Sequence, residues 1–168
     1  MLWVRSDGEF FDQTMSATES SPSTFYQSLY RHGIDEKRRL QVPAKWRPAN
    51  PDVEFTLIPW PTGGWKEACL LVLPPQEREA LVQKLKAMPY AELKAQALRR
   101  LLASKSDQVT LDKSGRICLP EAMTKAVGIE KEAVLVGMFD RFEIWSPERY
   151  ALASVVDEEL SSEAFKLI

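Results

Sequence analysis

Residues 35–43 read DEKRRLQVP, and residues 112–120 read DKSGRICLP. The two stretches align at an offset of 77 residues, with an aspartate first, an arginine four residues later, two apolar residues and a closing proline. A second match occurs at an offset of 72, where residues 70–74 (LLVLP) face residues 142–146 (FEIWS). Two matches in the same order indicate an internal duplication.

Each copy predicts four strands and a short helix. The aspartate opens a tight turn in which its carboxylate accepts backbone N–H groups, and Gly115 supplies the positive φ that such a turn often needs. Pro43 and Pro120 suit the first position of a short helix. Alternating polar and apolar residues, with neighbouring apolar runs, predict the strands at 29–34, 39–42, 53–58 and 69–73, and at 108–111, 116–119, 133–138 and 142–145.

Helices are predicted outside the two copies. Apolar residues at helical spacing between Leu81 and Leu102, interrupted by Pro89, predict a helical hairpin. A last helix is predicted from Pro147, with Ser146 as its N-cap. The connector that lengthens the first copy by five residues contains Pro59, Pro61 and two glycines and is interpreted as a loop.

The expected fold is mainly β with helices (α+β). Neither four-stranded unit can bury both of its faces alone, so we expect the two copies to close one β-barrel between them. The predicted segments are a flexible N-terminal arm (1–27), a first unit (28–77), the helical hairpin (78–105), a second unit (106–149) and a C-terminal helix and tail (150–168).

Composition excludes several classes of protein. The 168 residues are 45% hydrophobic and 27% charged, which is typical of a globular domain. No apolar run approaches the roughly 20 residues that cross a bilayer, and no secretion signal is present, so we expect a cytoplasmic protein without a membrane partner. Cys69 and Cys118 lie outside any metal-ligand spacing and are expected to be buried, reduced thiols. His32 has no partner carboxylate or thiol at a useful spacing, so no metal-ligand or catalytic role is expected for it.

The net charge of −2 conceals a basic region. Residues 28–50 sum to +4 and residues 75–105 to +4, whereas residues 1–27 sum to −3 and residues 128–168 to −5. The charge therefore excludes a uniformly basic nucleic-acid binder, whose pI exceeds about 9, but not a focused one. The basic residues of the hairpin are interpreted as a solvated face.

The duplicated turn is the one pattern that points to a binding site. An Asp–Arg pair could simply hold each hairpin together. Alternatively, a rigid turn could present guanidinium groups to phosphates or guanine edges, which arginine binds bidentately.

The paired turns closely resemble the MraZ family of bacterial transcriptional regulators, which carries two AbrB-like units with a DxKGRxxxP pattern in each. The resemblance covers about residues 26–150 and includes VLVGMFDRFEIW at 134–145. It implies swapped-hairpin units and DNA binding through Arg39 and Arg116, with Lys37, Arg38 and Lys113 beside them and Asp35, Asp112 and Gly115 forming the turns. It also implies nucleoid association, ring-like homo-oligomers and repression of the division and cell wall gene cluster through short direct repeats in its promoter.

The first copy departs from the family pattern because Arg38 stands where the family has Gly. A left-handed conformation costs a residue with a side chain roughly 1–2 kcal/mol, so a change of turn type is expected there. In the second copy, Ser114 stands at the Lys position.

Two other readings remain open at this point. The first is an oligomeric scaffold or interaction protein that uses the same barrel without touching DNA. The second is an enzyme, which the sequence disfavours because it has no phosphate-binding Gly loop, no metal cluster and no nucleophile with a plausible base. No cofactor, metal ion or small-molecule substrate is therefore expected.

Overall fold

The computed structural model describes residues 24–168, in which it shows eight β-strands and four α-helices. The strands are β1 (Leu29–Gly33), β2 (Arg39–Gln41), β3 (Glu54–Thr62), β4 (Trp65–Leu73), β5 (Asp107–Thr110), β6 (Arg116–Cys118), β7 (Glu132–Gly137) and β8 (Phe142–Trp145). The helices are α1 (Pro75–Ala87), α2 (Leu93–Lys105), α3 (Glu121–Val127) and α4 (Pro147–Ala164), with 3-10 turns at Ala44–Trp46 and Phe165–Leu167. The first 23 residues of the predicted arm lie outside the described residues.

Six of the strands form one antiparallel sheet in the order β1-β7-β8-β4-β3-β5. The other two, β2 and β6, pair with each other as a small second sheet. The first strand of each unit thus pairs with the third strand of the other unit, β1 with β7 and β5 with β3. The expected α+β fold with exchanged hairpins is confirmed, and the barrel takes the form of a curled half-barrel that shares one core with the small sheet.

The strand register obeys a pseudo-two-fold symmetry. In the small sheet, Leu40 pairs with Ile117 at the centre, and these positions are related by the offset of 77. In the large sheet, Leu71 pairs with Glu143, which are related by the offset of 72. An axis through these two central pairs exchanges the units, so both offsets found in the sequence are properties of the folded molecule.

The core lies between the two sheets. Leu40 and Ile117 from the small sheet pack with Phe142 and Ile144 from β8, and Trp46 and other aromatic rings complete the cluster. Tyr26 is also buried here, with a bridge to Phe139. Burial of the Tyr26 phenol raises its pKa to about 12. The core therefore ties the chain near residue 26 to the second unit.

Helices cover the opposite face of the large sheet. Leu81 of α1 and Leu102 of α2 pack against Leu71 and Leu73, and Tyr150 of α4 packs against Trp145. The predicted start of α4 is confirmed, because the Ser146 hydroxyl accepts a hydrogen bond from the Arg149 backbone N–H. Pro43 and Pro120 each stand one residue before the helical turn they were expected to begin.

The connector in the first copy is not a loop. β3 runs through Pro59 and Pro61, and the hairpin turns at Gly63 and Gly64, which both have positive φ. β5 pairs with β3 only as far as Leu57, so beyond that residue β3 is an edge strand on the side that faced β5. A proline there, which lacks an N–H, costs no hydrogen bond to a neighbouring strand on that side. The additional residues of the first copy lengthen a hairpin.

Within residues 24–168, no helix has both the length and the apolar composition needed to cross a bilayer. The same part of the chain contains no group of three or more His, Cys, Asp or Glu side chains placed to hold a metal ion.

Leu40→Ala and Ile117→Ala should destabilise the fold by similar amounts, because the two side chains are fully buried and equivalent about the pseudo-two-fold axis. Removing such a side chain costs about 2–5 kcal/mol in unfolding free energy. Urea denaturation measures this, and Leu93→Ala on the exposed surface of α2 is the control, expected within about 0.5 kcal/mol of the parent. A large difference between the two core variants would contradict the symmetric core.

Candidate functional site

The first turn is closed by the carboxylate of Asp35. Its Oδ1 accepts hydrogen bonds from the backbone N–H groups of Lys37 and Arg39, both at 2.9 Å. Its Oδ2 accepts from Nε of Arg39 at 2.6 Å. The backbone closes the turn as well, since Arg38 N–H donates to the Asp35 carbonyl at 2.9 Å. One side chain therefore sets both the shape of the turn and the direction of the arginine. We call this set of hydrogen bonds around the aspartate carboxylate the aspartate clamp.

The second turn repeats these contacts. Asp112 Oδ1 accepts from the backbone N–H groups of Ser114 and Arg116 at 2.9 and 3.0 Å, and its Oδ2 accepts from Arg116 Nε at 2.9 Å. Gly115 N–H donates to the Asp112 carbonyl at 3.0 Å. Ser114, at the family's Lys position, contributes its backbone N–H, so the substitution leaves the turn intact.

Hydrogen bonding favours the ionised form of both aspartates. The pKa of the Asp35 carboxyl lies below its ordinary value, first because of the hydrogen bond from the Arg39 backbone N–H. The pKa of the Asp112 carboxyl is lowered in the same way, first by the backbone N–H of Arg116. Each arginine uses Nε for its aspartate, and its terminal Nη atoms donate no hydrogen bond within the described residues. These Nη groups can bind an external acceptor.

The two turns adjoin. β2 pairs with β6, which brings Arg116 Nη1 to 4.0 Å from Asp35 Oδ2. The amide of Gln41 also joins them, because its Nε2 donates to the Ser114 carbonyl at 2.9 Å. The side chains of Arg39 and Arg116 are about one-third exposed, at 34% and 30%. The structure thus brings both predicted arginines to one surface.

The other predicted site residues lie on the same turns. Lys37 and Lys113 are exposed at the two tips. Arg38 is half-buried, and its Nε donates to the Leu119 carbonyl at 3.1 Å. All eight residues proposed from the sequence therefore belong to this pair of turns.

The expectation that Arg38 changes the turn type is wrong. Arg38 has φ 58°, close to the φ of 76° at Gly115, and both turns share the same hydrogen-bond pattern. The left-handed conformation is retained because the aspartate clamp and the neighbouring strand impose it. The hydrogen bond from Arg38 to Leu119, worth about 0.5–1.5 kcal/mol, offsets much of the strain.

Several residues outside the turns have structural roles. Trp46 and Trp145 are buried, and Cys69 is a buried thiol that donates to Glu143, as expected of core residues. Cys118 was expected to be buried but is exposed, because it occupies an outward-facing position beside Arg39 in the small sheet. In the hairpin, Arg99 donates to the Leu85 and Met88 carbonyls at the end of α1.

Sequence reasoning missed two members of this surface. Gln41 was treated only as a polar strand position, although it bridges to the second turn. Arg47 lies over Gly115, where a methyl group would overlap its guanidinium. No local signal could have found Arg47, because the two positions meet only in the folded chain.

Comparisons with known proteins agree on one family. A family model described as "MraZ protein, putative antitoxin-like" matches residues 102–166. A protein of Symbiobacterium thermophilum named "Transcriptional regulator MraZ" is 38% identical over 134 residues, covering 80% of this chain and 93% of its own. Proteins with the same name from Ligilactobacillus salivarius (36% identical; 85% and 96% covered) and Heliobacterium modesticaldum (36%; 75% and 84%) are also similar.

Arg38→Gly should change the unfolding free energy by less than about 1 kcal/mol, since relief of backbone strain and loss of one hydrogen bond nearly cancel. Gly115→Ala should lower it by more than about 1 kcal/mol, because the methyl group meets both a positive φ and the Arg47 side chain. Thermal and urea unfolding compare the two variants. A larger loss in Arg38→Gly than in Gly115→Ala would contradict this account of the turns.

Acid should weaken the aspartate clamps. Because the folded-state pKa of each aspartate lies below the ordinary value of 3.8, its contribution to stability is present above that value and is lost as the pH falls through the folded-state pKa. The double variant Asp35→Asn, Asp112→Asn should therefore lose less stability than the parent between pH 6 and pH 3, measured by urea denaturation. Asp52→Asn, an exposed position outside the turns, is the control. Equal losses in the parent and the double variant would refute the clamp.

Proposed function

The chain belongs to the MraZ family, and from that premise we propose that it is a transcriptional regulator that binds double-stranded DNA. The observation that supports this function best is the pair of clamped arginine turns on one surface. Arg39 and Arg116 are each held by Nε, and their Nη groups donate no hydrogen bond within residues 24–168, although Arg116 Nη1 lies 4.0 Å from Asp35 Oδ2. Such groups can bind guanine O6 and N7 in the major groove, or phosphate oxygens.

Lys37, Arg38 and Lys113 extend the cationic surface toward phosphates. Phosphate contacts position a protein on the duplex, whereas contacts to base edges determine the sequence that it selects. The two arginines lie in the paired strands β2 and β6, between the two turns, and suit base contacts. The lysines at the exposed tips of the turns suit phosphates. Regulation rather than catalysis also fits the names of the similar proteins, all of which are called transcriptional regulators.

We propose further that the protein acts as a homo-oligomer, ring-like in form, on short direct repeats. Supporting this, α4 exposes apolar side chains that a monomer would leave in water: Leu152 is 60%, Val155 57% and Leu160 56% exposed. One pair of turns offers few contacts, so binding to successive repeats by linked subunits raises the overall affinity through effective concentration. The promoter of the division and cell wall gene cluster is the proposed target, bound in the nucleoid.

The double variant Arg39→Ala, Arg116→Ala should lose specific DNA binding. Each bidentate arginine–guanine contact is worth about 1–3 kcal/mol, so each change should weaken binding about 5- to 150-fold. Fluorescence anisotropy with a labelled duplex from upstream of the protein's own gene measures this. Arg100→Ala on α2 removes the same charge from an exposed site elsewhere and should change the affinity much less.

Oligomer size and salt dependence complete the test. Native mass spectrometry should find the double variant and the parent in the same oligomer. The affinity of the parent should fall steeply with salt, because neutralising each phosphate releases about 0.9 counterion. If the parent oligomerises but binds promoter DNA no better than an unrelated duplex, the DNA-binding function is wrong and the oligomeric scaffold is favoured.

A further inference from the structure

The surface beside the second turn holds an arginine that belongs to neither turn. Arg47 follows the 3-10 turn Ala44–Trp46, and its Nε donates to the Val42 carbonyl at 3.0 Å. Its guanidinium lies against the backbone of Gly115, in space that any side chain at Gly115 would fill. Gly115 directly precedes Arg116, so Arg47 lies next to the arginine proposed to contact DNA.

Arg47 has a counterpart across the pseudo-two-fold axis. Val42 and Leu119 are equivalent at the offset of 77, and the Leu119 carbonyl accepts from Nε of Arg38 at 3.1 Å. Each turn therefore has one guanidinium bound through Nε to an equivalent carbonyl. The first turn supplies its own, Arg38, whereas the second turn has a glycine and receives Arg47 from elsewhere in the chain.

The surroundings of the two arginines differ in charge. The pKa of the Glu121 carboxyl is lowered first by its hydrogen bond and ion pair with Lys125 and then by the positive charge of Arg38 nearby. The position equivalent to Glu121 near Arg47 is Ala44, which has no charge. Within the described residues, the exposed side chain of Arg47 makes no ion pair and donates a hydrogen bond only through Nε.

We propose that Arg47 is a further DNA-contacting residue, which binds a backbone phosphate at the outer side of the second turn. This inference rests on the proposed DNA-binding function. The bond from Nε to Val42 orients the guanidinium and leaves Nη1 and Nη2 for a phosphate, the acceptor that arginine binds bidentately. Arg38 and Arg47 then flank Arg39 and Arg116, so both halves of the interface carry the same arrangement of two guanidinium groups.

A phosphate contact and a purely structural role predict different results. Loss of a phosphate contact weakens binding about equally to all sequences and lowers the slope of log affinity against log salt by about 1. Loss of the Val42 hydrogen bond alone would lower thermal stability without changing that slope. Arg47→Gln removes the charge, and Arg47→Lys keeps it while losing the fork that reaches Val42 and a phosphate together.

Anisotropy titrations of Arg47→Gln, Arg47→Lys and the parent oligomer, with the promoter duplex and a scrambled duplex, test the inference. In Arg47→Gln we expect weaker binding to both duplexes by a similar factor. We also expect a slope reduced by about 1 for each subunit that contacts the duplex, so that raising the salt from about 50 to about 200 mM lowers its affinity about four-fold less, per such subunit, than that of the parent. Arg47→Lys should retain the parent's slope.

The double variant Arg39→Ala, Arg116→Ala is the reference in the same titrations. If Arg47→Gln binds with the affinity and slope of the parent while the reference variant loses binding, the inference about Arg47 is overturned and the proposed function stands. A slope reduced to the same extent in Arg47→Lys as in Arg47→Gln would also overturn it, because the charge would then not be the cause. If the reference variant binds the promoter duplex like the parent, DNA binding through the two arginine turns, on which this inference rests, is wrong.

Discussion

The exchange of first strands between the two units is the constraint on which the rest of the structure depends. β1 hydrogen-bonds to β7 of the second unit and β5 to β3 of the first, so neither unit completes its sheet alone. The chain between β1 and β2 must therefore turn at the same end of the molecule as the chain between β5 and β6. The small sheet of β2 and β6 then holds the two aspartate-clamped turns side by side. The surface that carries the two arginine turns is thus a consequence of how the core is closed.

Symmetry of the backbone does not require symmetry of the sequence. The two turns have the same hydrogen bonds although one contains Arg38 and the other Gly115 at the left-handed position. The glycine leaves open the space that the Arg47 side chain occupies, and the arginine fills the equivalent need from within its own turn. The two copies therefore place a positive group beside each turn by different means.

The sequence predicted what depends on local pattern and on repetition. The two offsets located the strands because residues at pseudo-equivalent positions meet the same pleat and the same core, as the central pair Leu40 and Ile117 illustrates. Pro59 and Pro61 were misread as loop residues, since proline breaks a strand only where a neighbour needs its N–H, and that depends on how far β5 extends along β3. The conformation of Arg38 was misjudged because tertiary contacts outweigh a local preference. Arg47 was missed because its partner Gly115 is remote in the sequence.

The acidity of the whole chain does not weaken the electrostatic case for this surface. The turns lie beside the Leu40–Ile117 end of the pseudo-two-fold axis, whereas α4, with most of the acidic C-terminal residues, packs on the opposite face of the large sheet. The core and the large sheet separate the two, and packed sheets alone are spaced about 10 Å apart. That spacing already exceeds the Debye length of about 8 Å at physiological salt, so exposed charges on α4 are largely screened from the turns. The acids near the turns are Asp35, Asp112, the exposed Glu36 and, beside Arg38, Glu121. Asp35 and Asp112 each accept a hydrogen bond from Nε of their own arginine, which leaves the Nη groups to attract an anion.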